Sequence, residues 1–177
     1  MDYIFVTGII GSLVLVTGAA WPESKKARHP VQSAKNWLFA IGGLILLLYA
    51  LLGYLNGGPI FFVFLEVLIL IASILMMLNV PDRIDIPVIL GCAAILIIWS
   101  LALFEDYRTI IFILGLAGVG LGYAFDMRSL KRDAALTGGS ILIAFFSYTE
   151  GSWIFFWLNV FFAIFSAFYL FKHLQRT

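Results

Sequence analysis

Seven apolar runs, each near the length of a bilayer-spanning helix, leave this chain few ways to fold. They are Tyr3–Ala20, Trp37–Leu55, Ile60–Leu78, Ile86–Phe104, Thr109–Phe125, Ala134–Tyr148 and Trp153–Phe171. Roughly 20 apolar residues carry a helix across a bilayer. In lipid a backbone must satisfy its own polar groups, and the runs are too long for barrel strands, so helices are expected. The chain has 177 residues, 63% hydrophobic and only 12% charged. A soluble domain of that composition could not cover its surface with polar groups. The fold class expected is all-α: a polytopic membrane protein with seven transmembrane helices.

The loops predict orientation. Lys25, Lys26, Arg28 and Lys35 follow the first run, Arg83 the third, Arg128, Lys131 and Arg132 the fifth, and Lys172 and Arg176 the seventh. Only Arg108 falls on the other side. The excess of basic residues on cytoplasmic loops then places the N-terminus outside and the C-terminus in the cytoplasm of a cell (plasma or inner) membrane. The same count supports the short sixth run, without which Lys172 and Arg176 would lie outside. Met1-Asp2-Tyr3 lacks the basic start of a cleaved signal peptide, so the first run is expected to be retained as a helix.

Two stretches read as copies of each other, Ile60–Asn79 and Ile154–Lys172. Leu65 pairs with Leu158, Glu66 with Asn159, Val67 with Val160, Ile71 with Ile164 and Ser73 with Ser166. Upstream, Ser33 and Lys35 match Ser129 and Lys131, and Gly42-Gly43 matches Gly138-Gly139. More loosely, Gly8 and Gly11 match Gly115 and Gly118. Such self-similarity predicts a duplication. The expected organisation is a first triple-helix unit over 1–80, a linker helix over 81–107 and a second triple-helix unit over 108–177. The first and fifth helices cross in one direction, so the repeats are parallel, related by an axis along the membrane normal.

Three helices, a linker helix and three more, with Trp21-Pro22-Glu23-Ser24-Lys25-Lys26 ending the first, resemble the SWEET sugar facilitators, the nicotinamide-riboside permeases and the wider PQ-loop family. Glu23 stands where that family's first helix ends in Pro-Gln, and the second copy, Phe125-Asp126-Met127, has no Pro. The resemblance implies a transporter whose third and seventh helices face each other across a substrate pocket, each with an Asn in the SWEET group. Asn159 matches the second and Glu66 takes the place of the first. Trp residues that clamp sugar in that group are replaced by Tyr49 and Phe145, which argues against a sugar.

Glu66 is the leading candidate. A charge near the middle of a spanning helix is costly, by about 2.5–3.5 kcal/mol on insertion scales, and normally faces a bundle interior or wet cavity. It reads as a substrate ligand or proton-binding carboxylate, against a structural hydrogen bond to Asn159 or a Tyr, or a place near the outer headgroups six residues into its helix. Glu66 and Ser73 are two turns apart and share a helix face, and Asn159 and Ser166 repeat that spacing. Such polar stripes suit a substrate pocket that includes Tyr49; the plainer reading is interhelical glue. Pro22 is a candidate gate hinge, against a simple helix stop. The glycines serve close helix packing.

The sequence carries no HExxH, GxSxG or paired-aspartate constellation, so neither an enzyme nor a cofactor is expected. His29 and His173 are the only histidines and Cys92 the only cysteine, so neither a metal site nor a disulfide is expected. The net charge of +1 offers nothing to nucleic acid. The expected partners are the lipid bilayer and a small polar solute, with homo-oligomerisation permitted. The leading function is transport of that solute by alternating access between the two repeats. The alternative is a non-transporting receptor or assembly subunit of the same fold, since fold alone does not fix function.

Overall fold

The computed structural model describes residues 3–21, 33–125 and 129–175. These form seven α-helices: α1 (Tyr3–Ala20), α2 (Ala34–Leu55), α3 (Phe61–Met77), α4 (Asp82–Ala102), α5 (Tyr107–Ala124), α6 (Leu130–Thr149) and α7 (Trp153–Leu174). All seven expected runs are helical. α1, α2, α4, α5 and α7 are long and apolar enough to cross a membrane, and α3 is a shorter apolar helix of 17 residues. Large side chains such as Ile98, Phe168 and Phe171 are more than half exposed. An apolar surface of this kind is stable against lipid and not against water.

The largest departure in helix length is α6, which has 20 residues and opens at Leu130, four residues before the apolar run begins. The Ser129 side chain accepts from the Arg132 amide at 3.2 Å, capping a first turn that carries Lys131, Arg132 and Asp133. A cap of this kind satisfies an amide that has no partner within the helix. A charged, capped turn is invisible to a search for apolar runs. Likewise α4 opens at Asp82, with Asp82 and Asp85 in its first turn where the helix dipole favours acids.

The chain forms two compact units, Met1–Asp85 and Ile86–Thr177. In the first, α2 packs against both α1 and α3. In the second, α6 packs against both α5 and α7. The joint between the first two helices is built alike in each unit. Gly11 of α1 lies against Ile45 and Leu46, and Gly42 of α2 against the backbone of Leu15. Gly115 of α5 lies against Ile143, and Gly139 of α6 against the backbone of Gly118 and Val119. Small residues let spanning helices approach until backbones touch, where packing attraction is greatest. By these contacts Gly42 plays the part of Gly139, one residue on from the sequence pairing with Gly138, and Gly11 that of Gly115, where the looser sequence pairing had set it against Gly118. A one-residue shift turns a helix face by about 100°, and a Gly-Gly pair matches itself in either register.

The turns after α2 and α6 also agree. Each places a glycine in the left-handed region, Gly57 at φ 89° and Gly151 at φ 68°. That conformation closes a helix end at no steric cost only for glycine. These turns fold α3 back onto α2 and α7 back onto α6.

Candidate functional site

Glu66 is the sixth residue of α3 and is completely buried. It shares the buried face with Phe62, Leu65 and Ser73. Neither of its carboxylate oxygens has a hydrogen-bond partner among the described residues. Taking a carboxylate out of water without a partner costs several kcal/mol, so this side chain is the most conspicuous polar feature of the first unit. Ser73 is also buried, but its hydroxyl donates to the Ile69 carbonyl at 2.8 Å, one turn back. Tyr49, on α2 of the same unit, is half-buried.

On α7 of the second unit, Asn159 is buried and its Nδ2 donates to the Phe155 carbonyl at 2.9 Å. Ser166 is only half-buried. The stripe of α7 is therefore buried at Asn159 and opens towards Ser166, whereas that of α3 is buried at both positions. Pro22, the candidate hinge, lies outside the described residues.

Three polar features escaped the sequence reading. The Ser12 hydroxyl on α1 is buried and without a partner. Asp133 at the start of α6 is 6% exposed, and its Oδ2 lies 2.9 Å from Nδ1 of His173 near the end of α7. The atoms are close enough for an ion pair but off the line of a hydrogen bond. The signal for this pair was an acid in the first turn of one helix and a histidine in the last turn of its antiparallel neighbour. At the other end of this unit Arg108 reaches Glu150 at 3.2 Å and Asp106 at 3.4 Å, tying the start of α5 to the end of α6.

A cleft of about 430 Å³ runs between α6 and α7, lined by residues that include Thr137, Ile141, Phe145, Phe156, Val160 and Ile164. Its one hydroxyl, on Thr137, donates to the Asp133 carbonyl. It contains none of the expected site residues and suits an apolar chain better than a polar solute. No group of three or more His, Cys, Asp or Glu is placed to hold a metal ion among the described residues. In comparisons with known proteins, no family model, curated protein or solved structure matches the chain.

Proposed function

We propose that this protein is a membrane transporter or facilitator of a small polar solute, working by alternating access between two parallel triple-helix repeats. The observation that carries the reading is Glu66: a carboxylate buried completely within an apolar helix, with both oxygens unpartnered. A purely structural carboxylate would be expected to hold a donor, because an unsatisfied buried charge is strongly destabilising. Intramembrane ionisable residues are functional candidates by default.

Three further observations support the reading. The middle helix of each unit packs on both its neighbours, the glycine contacts at the first joint correspond, and so do the glycine turns. These similarities suit a duplicated architecture in which one unit rocks against the other. Full burial of Glu66 suits an occluded conformation, in which solute enters and leaves only when the helices part.

Uptake into proteoliposomes, normalised to folded protein, tests the proposal. Glu66→Ala is expected to lower uptake by roughly tenfold or more while the purified variant remains helical and monodisperse. Normal uptake by a folded Glu66→Ala protein would remove the basis of this reading. Orientation is tested separately in a Cys92→Ala background. Cysteines at positions 57 and 151 should label from outside intact cells, and a cysteine at position 130 should not.

A further inference from the structure

The polar groups left unpartnered on α3 indicate what the site accepts. Among the described residues of the first unit, both carboxylate oxygens of Glu66 are buried and without a hydrogen bond. In the ionised form both can only accept. Ser73, on the Glu66 face, has its donor committed to its own helix. The buried face of α3 thus offers the ionised carboxylate no side-chain donor from Ser73.

The distribution of positive charge points the same way. Every described Lys, Arg and His on a helix lies in a terminal turn: Lys35 on α2, Arg83 on α4, Arg108 on α5, Lys131 and Arg132 on α6, Lys172 and His173 on α7. Arg108 is already held by Glu150 and Asp106. Among the described residues, therefore, no helix carries a cation in its apolar interior, where Glu66 lies.

We propose that the solute of this site is a small organic ammonium ion, whose N–H groups and positive charge are received by the Glu66 carboxylate. This rests on the reading of Glu66 as a pocket residue. An ammonium supplies both things the carboxylate lacks, through charge-assisted hydrogen bonds stronger than neutral ones. Phe62 lies one turn before Glu66 on the same buried face, and an aromatic ring is a further attractive surface for a cation. An inorganic cation fits less well. It would need several oxygen ligands, commonly supplied in membrane proteins by unwound backbone carbonyls, and α3 is unbroken from Phe61 to Met77. An anion is repelled. A neutral sugar would need donors as well as acceptors.

The test uses the full chain purified in detergent, with ethylammonium chloride, sodium chloride, ethanol and sodium acetate as probes at matched ionic strength and pH. Ethylammonium should raise the thermal midpoint saturably, as expected for a ligand that binds only the folded state. The other three should not. Glu66→Gln keeps the shape of the side chain and removes its charge, and it should weaken the apparent ethylammonium affinity by about tenfold or more. If that variant fails to fold, wild-type protein still decides the matter. Ethylammonium should protect Glu66 from modification by dicyclohexylcarbodiimide, read by peptide mass, and sodium should not.

An equal shift with sodium would assign the site to an inorganic cation and overturn the proposal. So would full ethylammonium affinity in Glu66→Gln, a shift with ethanol alone, or no shift and no protection with any probe. A midpoint that responds to pH and to none of the probes would make the proton the only ion bound, and would also overturn it. Ethylammonium binding without uptake by proteoliposomes would sustain the ammonium site and sink the transport reading. Uptake of a neutral solute indifferent to ethylammonium would do the reverse.

Discussion

α3 and α7 begin alike and end differently. Phe62, Leu65 and Glu66 are buried on α3, and the residues at the same spacing on α7, Phe155, Leu158 and Asn159, are buried too. At the third of these positions one helix carries a carboxylate with no partner, and the other an amide bonded to its own backbone. Two residues further on, Leu68 is fully buried, whereas its counterpart Phe161 is 45% exposed. Helices of closely related sequence thus present the same side-chain positions under different constraints. An amide can be satisfied one turn back along its own helix, because its Nδ2 donates to a carbonyl. A carboxylate has only acceptors, and no free backbone donor exists inside a continuous helix. One exchange of amide for carboxylate turns a self-sufficient position into one that requires a partner.

The sharpest way to break this comparison is to remove each group in turn. Under the proposed transport function, Glu66→Ala should lower normalised uptake by roughly tenfold to a hundredfold, the effect of losing a charged hydrogen-bond partner. Asn159→Asp converts the α7 position into a carboxylate that has lost its bond to Phe155. It should lower the stability of the second unit and should not rescue Glu66→Ala. Rescue would mean that the two positions are interchangeable and that the difference between the helices has no functional content.

The second prediction concerns the joints that the units share. A Cβ built on Gly139 would lie 2.7 Å from the backbone nitrogen of Val119, whereas one built on Gly138 meets nothing within 4 Å. Gly139→Ala should therefore destabilise the protein by about 1–3 kcal/mol, the usual range for overpacking. Gly138→Ala should be neutral or slightly stabilising, since alanine is the better helix former. Reversible unfolding in mixed micelles measures both. In the first unit Gly42, at 2.9 Å from Leu15, should behave like Gly139, and Gly43, at 3.9 Å from Leu70, like Gly138. If Gly138 proved the sensitive position instead, the correspondence between the joints would shift back by one residue.

The helices were legible in the sequence because bilayer thickness imposes a length and lipid imposes a composition. The burial of Glu66 was legible because a charge inside an apolar run is costly in lipid and turns to a bundle interior. The spacing put Glu66 with Ser73, and Asn159 with Ser166, on one face of each helix. It did not say which are buried: Ser166 is only half-buried, because the same spacing occurs on both helices and only packing separates them. Gly-Gly pairs gave two equally good registers, and side-chain contacts were needed to choose between them. The polar first turn of α6 was hidden from a hydropathy reading, and Asp133 with it. Its partner His173 lies 40 residues away in sequence, so only the folding of α7 back along α6 brings them together.

Asn159→Ala is the third prediction. The amide bonds within its own helix, so its loss should resemble that of an average polar contact in a membrane bundle, about 0.6 kcal/mol. Uptake should change by no more than a few-fold. A loss as large as that of Glu66→Ala would mean that Asn159 contacts solute through its carbonyl oxygen.

The smallest expected effect concerns Asp133 and His173, which join the start of α6 to the end of α7. The first unit has no acid or histidine at the corresponding ends: α2 opens with Ala34, Lys35 and Asn36, and α3 closes with Leu75, Met76 and Met77. The pair is thus a feature of the second unit alone. The His173 side chain is 31% exposed and the contact is not a directed hydrogen bond, so solvent screens it. Half-exposed ion pairs contribute about 0.5 kcal/mol or less. A double-mutant cycle with Asp133→Asn and His173→Gln should therefore give a coupling energy of that size. It should fade in about 1 M salt, where the screening length falls to roughly 3 Å. A coupling of several kcal/mol, insensitive to salt, would mean that Asp133 and His173 act as a buried clasp on the second unit, the counterpart in strength of the unpartnered carboxylate in the first.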